Sequence, residues 1–127
     1  MNDAAITVRF CDPFVPIRER EQHASRLFAL LAETRGAVAE ARRVPAPTIA
    51  GTKGGGFENG AVRAVFSSAA YKRVLEFIAR FLGSRVVEVE AEANGRKIKI
   101  KCGTIEEFPV IMNQLEQFFE RAPGADG

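Results

Sequence analysis

The sequence predicts a two-layer α+β domain, in which a small, mostly antiparallel sheet of three or four strands is covered on its apolar face by about three helices. Three observations predict this fold. A two-residue turn, Asn94-Gly95, separates two runs of alternating side chains near the C-terminus. Apolar stripes at helical spacing precede and follow that hairpin. The length of 127 residues indicates one domain, with an ordered core over about residues 5–121 and a flexible tail over 122–127.

The first strand and the first helix are predicted near the N-terminus. Ile6, Val8 and Phe10 alternate with polar residues, which is typical of a half-buried strand. A helix is expected from about Arg18, and Gly36 follows its last turn. The apolar side of this helix is formed by four residues at spacings of three and four, namely Ala24, Leu27, Phe28 and Leu31.

The middle of the chain carries weaker signals. Residues 37–44 predict a weak strand at a sheet edge, because Pro45 and Pro47 end it. The glycine-rich loop over residues 51–60 contains Lys53, but the lysine precedes the glycine run, so the order that a phosphate-binding loop requires is absent. We interpret the loop as flexible or as closing on a ligand, and the second interpretation leaves a ligand-sensing regulatory domain as an alternative function.

Residues 61–82 form the most apolar segment, and their spacing predicts one helix with a broad apolar face. A single sheet covers only one side of a helix, so part of that face is expected to meet another chain. The residues of this expected interaction surface are Val65, Tyr71, Leu75 and Leu82. The competing interpretation is that the first and last helices flank this helix and bury it completely.

The Asn94-Gly95 turn also predicts the register of the hairpin. Counting outward from the turn pairs Glu92 with Lys97, Glu90 with Lys99, and Glu88 with Lys101. The same count places apolar pairs on the other side: Ala91 with Ile98, Val89 with Ile100, and Val87 with Cys102. A slip of one residue would turn the charges into the core, so the charge pattern favours this register.

A last helix is expected after Gly103, since Thr104 and Glu107 fit a capping box. A start nearer Glu106 is the alternative, because Pro109 lies late for that cap. Its apolar stripe contains Phe108, Ile111, Met112, Leu115, Phe118 and Phe119. The residues beyond it, including Pro123 and Gly124, predict a frayed tail.

Composition excludes several function classes. A net charge of +2 with scattered basic residues does not indicate a nucleic-acid partner. Cys11, Cys102 and His23 are too few ligands for a tetrahedral zinc site, and we expect no metal and no cofactor. No catalytic grouping is evident, so an enzyme is not expected. The chain shows neither a secretory signal nor an apolar run that would span a membrane, and the cytoplasm is the expected compartment.

Four segments, taken in this order, resemble the small bacterial family called effector-associated constant component. They are Ile6-Thr7-Val8-Arg9, then Ala41-Arg42-Arg43-Val44-Pro45-Ala46-Pro47, then the apolar segment ending in Phe81-Leu82-Gly83-Ser84-Arg85, and the alternating run 87–100 around Asn94-Gly95. The resemblance covers about residues 5–120.

The resemblance implies a role in bacterial conflict or immunity systems. Members of this family look like fixed partners of variable effectors, which include caspase-like or trypsin-like proteases and signalling NTPases. It therefore implies a non-enzymatic adaptor or regulatory component whose partner is such an effector. A second copy of the chain is an alternative partner, and the resemblance carries over no catalytic residue.

Overall fold

The computed structural model describes residues 4–12, 14–34, 37–44, 61–82, 86–102 and 108–124. The elements in these ranges are, in chain order, β1 (Ala4–Phe10), α1 (Ile17–Glu33), β2 (Glu40–Val44), β3 (Ala61–Phe66), a short 3₁₀ turn (Ser68–Ala70), α2 (Tyr71–Leu82), β4 (Val87–Ala93), β5 (Arg96–Cys102) and α3 (Phe108–Gly124). None of the helices in this described part of the chain combines the length and apolar character that a bilayer crossing requires.

The five strands form one sheet in the order β2-β3-β1-β4-β5, and every neighbouring pair is antiparallel. β1 is the central strand, so that Val8 faces Val62 of β3 on one side and Val89 of β4 on the other. The predicted α+β class is confirmed, and the sheet has one strand more than the upper bound of the prediction.

The core lies between one face of this sheet and the three helices. Alternate residues of the central strands are buried there, as the two-residue period of a strand requires. The sheet contributes Ile6, Val8, Phe10, Val62, Phe66, Val87 and Val89, and the helices contribute Leu27, Leu31, Val74, Leu75, Ile78, Leu82, Leu115 and Phe119.

The prediction of one helix over residues 61–82 is wrong for its first part. Residues 61–66 form β3, and the helix α2 begins only at Tyr71. Ser67 marks the change, because its Oγ accepts a hydrogen bond from Ala69 N (3.3 Å) and its carbonyl accepts one from Ala70 N (2.8 Å). These contacts satisfy amide groups that the first turn leaves free.

Several other predicted elements are confirmed. α1 buries Ala24, Leu27 and Leu31, and Phe28 packs partly against the core. The weak strand near residue 40 forms β2 at one edge of the sheet. The hairpin has the predicted register, from Val87 opposite Cys102 to Glu92 opposite Lys97. α3 extends to Gly124, which is past the expected start of the tail.

Three predictions lie outside the described residues. They concern the glycine cap at Gly36, the glycine-rich loop 51–60 and the capping box at Thr104 and Glu107.

A single arginine ties the edge strand β2 to α1. Arg43 lies on the helical side of the sheet, where its Nη1 donates to Ser25 Oγ at 3.0 Å and its Nε donates to the carbonyl of Ala61 at 3.4 Å. Its Nη2 forms an ion pair with Glu21 of α1. Because the Arg43 side chain is only 17% exposed, this charge is stabilised by several partners rather than by water.

Candidate functional site

The four residues of the expected interaction surface do not form one surface. Leu75 and Leu82 are each 1% exposed and belong to the core. Val65 lies on β3, on the face of the sheet that is turned away from the helices. Tyr71 is half-buried, and its ring stacks on Phe119 with centroids 6.0 Å apart. The surface expected on α2 is therefore not present as predicted.

The apolar side of α2 is covered because α3 packs beside it. Phe119 of α3 contacts both Tyr71 and Phe66 of β3, the second in an edge-to-face arrangement with centroids 5.5 Å apart. α3 therefore covers part of the helix surface that the sheet alone would leave free. The competing interpretation named both the first and the last helix as neighbours, and the structure supports it for the last helix, α3.

The sheet has a second face on which no described helix lies, and we call it the charged face. It carries every second residue of each strand, which for the five strands in spatial order are Glu40, Arg42, Val44, Val65, Arg63, Ala61, Ala5, Thr7, Arg9, Glu92, Glu90, Glu88, Lys97, Lys99 and Lys101. Ten of these fifteen side chains are charged, so this face is suited to water or to a polar partner.

The glutamates of β4 contact arginines as well as lysines. Arg63 Nη1 lies 2.8 Å from Glu92 Oε2, and the two side chains meet above β1, where Ala5 and Thr7 are small and buried. Arg9 Nε lies 3.9 Å from Glu88 Oε1. These contacts form because β1 flanks β4 on the side opposite to β5, a neighbour that the hairpin sequence alone does not reveal.

The lysines of β5 consequently form fewer ion pairs with the glutamates of β4 than the hairpin register predicts. Lys97 Nζ lies 3.7 Å from Glu90 Oε2, which is a diagonal contact rather than the directly opposite pair. Lys99 and Lys101 are exposed and make no ion pair with another described residue. Within the described part of the chain, two ammonium groups without a close carboxylate partner therefore lie next to each other on the same face of the outermost strand.

A shallow hollow of about 280 Å³ lies where the charged face meets the hairpin turn. Arg63, Arg96 and Lys97 contribute cationic groups to its wall, and Glu92 contributes the carboxylate. The hydrogen bond from Arg63 lowers the pKa of Glu92, and the nearby charges of Arg63 and Lys97 act in the same direction against the opposing effect of burial. Glu92 is therefore an anion at neutral pH.

The most exposed aromatic residue of the described chain lies between β1 and α1. Phe14 is 94% exposed, although its backbone is well held. Asp12 Oδ1 accepts a hydrogen bond from Phe14 N at 2.9 Å, and the Asp12 carbonyl accepts one from Val15 N at 3.1 Å. Arg20 Nε donates to the carbonyl of Val15 at 3.0 Å. The Phe14 ring thus projects into solvent from a hydrogen-bonded turn that includes Asp12, Phe14 and Val15, and we call it the Phe14 turn.

Apolar and polar groups surround this turn. Ile17, the first residue of α1, is 52% exposed, and Pro16 before it is also exposed. An open hollow of about 540 Å³ follows along α1, with Arg18, Glu19 and Arg26 in its wall. No functional residue was predicted in this segment from the sequence. The signal that marked it was a large aromatic residue between two prolines, Pro13 and Pro16.

Cys11, at the end of β1, is a free and half-buried thiol. Burial raises its pKa, and the negative charge of Glu88 raises it further. The thiol is therefore protonated at neutral pH, and a protonated thiol is a weak nucleophile. Among the described residues, no group of three or more His, Cys, Asp or Glu side chains is arranged to hold a metal ion.

The ligand-sensing alternative depends on loop 51–60, which lies outside the described residues, so it stays a prediction. The geometry of the remaining residues offers two surfaces for a partner, the Phe14 turn and the charged face with its outer strand. Comparison with protein-family models, with curated proteins and with solved structures finds no match to this chain.

Proposed function

We propose that this chain is a non-enzymatic protein-interaction adaptor or regulatory component. Its proposed partner is a protease or NTPase effector of a bacterial conflict system, as the resemblance of its sequence segments to the effector-associated constant component family implies. The observation that supports a binding function is the Phe14 turn, which presents a large apolar side chain on an ordered backbone.

An exposed aromatic side chain of this kind has an energetic reason to bind. A phenylalanine ring buries a large apolar area when it enters a pocket on a partner. Because hydrogen bonds accepted by Asp12 and donated by Arg20 already fix the turn, little backbone entropy remains to be lost on binding. Aromatic residues are enriched at the centres of protein interfaces for these reasons.

The test is co-purification from the native host followed by a direct titration. The tagged wild-type chain is expected to retain the product of a neighbouring protease or NTPase gene. Phe14→Ala is expected to weaken that complex by roughly 30-fold or more, which is typical of a central aromatic anchor. Calorimetry with the purified pair measures the change, and circular dichroism checks that the variant is folded.

Leu30→Ala is the matched control, because Leu30 is an exposed apolar residue of α1 that lies about 20 Å along the helix from Ile17. It is expected to bind as the wild type does. Equal affinity of Phe14→Ala and wild type would contradict the assignment of the turn. Recovery of a small molecule and no protein would favour the ligand-sensing alternative instead.

A further inference from the structure

The outermost strand β5 has an edge with no neighbour among the described residues. The sheet order places β4 on one side of β5 and no described strand on the other. Such an edge carries backbone amide and carbonyl groups that are ready to pair with another extended chain. With seven residues, Arg96–Cys102, it is long enough to hold a partner strand.

The turn geometry identifies which residues direct their backbone groups outward. Asn94 and Gly95 have φ angles of 51° and 79°, which is the conformation of a type I′ hairpin turn. The closing pair of such a turn, Ala93 and Arg96, is hydrogen-bonded across the hairpin, and hydrogen-bonded pairs then alternate with unbonded ones. Ile98 and Ile100 therefore pair with β4, whereas Lys97 and Lys99 direct their N–H and C=O groups away from it.

The side chains of β5 restrict which kind of strand can pair with this edge. A second copy of β5, added antiparallel, would place lysines beside lysines on the charged face, and like charges in that arrangement destabilise a sheet. A strand with carboxylates at alternate positions would instead neutralise Lys99 and Lys101, which have no ion pair within the described chain. Apolar residues at its other positions would extend over Ile98 and Ile100, which are only partly buried.

We propose that the outer edge of β5 binds an extended segment of a partner protein in which acidic and apolar residues alternate, as a sixth strand of the sheet. β4 is an internal example of this chemistry, since its sequence Val-Glu-Val-Glu-Ala-Glu-Ala pairs with β5 from the opposite side. The proposal deepens the proposed protein-binding function and rests on it, but it concerns a different surface from the Phe14 turn.

Synthetic peptides test the charge requirement on the intact chain. A fluorescent peptide of alternating Glu and Val is expected to bind saturably, as measured by fluorescence anisotropy. Its Lys/Val counterpart reverses the charge. A Glu/Val peptide that is N-methylated at two consecutive central residues keeps the charge but lacks an amide needed for pairing with β5, whichever direction the added strand runs. Each of these two is expected to bind roughly tenfold more weakly or not at all.

Protein variants locate the binding to the β5 edge. Lys99→Glu is expected to weaken binding of the Glu/Val peptide about tenfold and to strengthen binding of the Lys/Val peptide. Lys72→Glu makes the same charge change on an exposed position of α2 and is expected to change neither affinity. If Lys99→Glu and Lys72→Glu act alike, or if the N-methylated peptide binds as well as its parent, the proposal is wrong.

Amide hydrogen exchange measured by NMR gives an independent readout. In the free chain the amides of Lys97 and Lys99 are expected to exchange faster than those of Ile98 and Ile100. A saturating concentration of the Glu/Val peptide is expected to slow the exchange of the two lysine amides at least tenfold. Unchanged lysine exchange in the bound state would show that the peptide lies elsewhere, and would overturn strand addition. Because these probes are synthetic, such a failure leaves the Phe14 co-purification result untouched.

Discussion

At the scale of single residues, the charges on the sheet depend on neighbours that are distant in sequence. The hairpin alone predicts which glutamate stands opposite which lysine, and that register is confirmed. The ionic contacts themselves differ, because Arg63 comes from β3 and reaches Glu92 across the small residues of β1. No local pattern places these two residues together, so this contact was not predictable from the hairpin sequence.

The Arg63–Glu92 contact predicts a pH dependence of stability. Its hydrogen bond holds the pKa of folded Glu92 below the ordinary value of 4.5. A carboxyl group whose pKa is lowered by folding stabilises the fold at pH values above its ordinary pKa. That stabilisation is lost as the pH falls through the lowered pKa of the folded state. We expect Arg63→Met to make the free energy of unfolding depend less steeply on pH below about 4.5.

Urea unfolding over a series of acidic pH values measures this effect. Arg42→Met is the matched control, since Arg42 stands directly opposite Arg63 on the neighbouring strand and makes no ion pair with another described residue. It is expected to keep the wild-type pH slope. Identical slopes for both variants would show that the contact does not contribute to acid stability.

At the scale of elements, secondary structure was predicted correctly where the apolar residues of a segment follow only one periodicity, that of a strand or that of a helix. The hairpin alternates without exception, and α1 and α3 show clear helical stripes. Residues 61–66 were predicted wrongly because Ala61 and Val65, two of the outward positions of β3, are apolar, so the sequence of this strand does not alternate between apolar and polar residues. Val62, Val65, Phe66 and Ala69 then fall by coincidence at helical spacing. The adjacent Ser67-Ser68 was the signal for a helix start.

Leu75 provides the test of how α2 packs. Leu75→Ala is expected to lower the free energy of unfolding by about 2–5 kcal/mol, because it leaves a cavity in the core. Leu75→Glu is expected to unfold the chain, since it would bury an unpaired charge. Thermal unfolding followed by circular dichroism measures both. The control Leu30→Glu alters an exposed leucine of α1 and should fold normally, so equal behaviour of the two glutamate variants would contradict the core position of Leu75.

At the scale of the whole molecule, the two edges of the sheet are protected in different ways. β2 is short and Arg43 ties it to α1, whereas β5 is longer and carries three lysines on its charged face. Charged edge residues are a common means of preventing sheets from pairing with one another. The two surfaces argued above, the Phe14 turn and the β5 edge, were both missed by sequence reasoning because exposure follows from how the elements assemble.

The lysines of β5 therefore predict the association state. Replacing Lys99 and Lys101 together by valine is expected to cause concentration-dependent self-association, measured by sedimentation velocity, because the edge loses its repulsion and gains strand-forming side chains. Replacing Lys72 and Arg80 of α2 by valine removes the same charge from exposed helical positions and should have no such effect. A β5 double variant that sediments like the wild type would refute this role of the lysines.

The central place of β1 has a consequence for synthesis on the ribosome. β1 is the first strand to be made, yet both of its partners, β3 and β4, are made much later. A nascent chain that has emerged only as far as residue 60 holds β1, α1 and β2 without β3, the strand that lies between β1 and β2 in the finished sheet. Its apolar residues then remain available to chaperones until β3 and β4 arrive. The sheet partners of β1 are thus complete only after residue 93 has been translated.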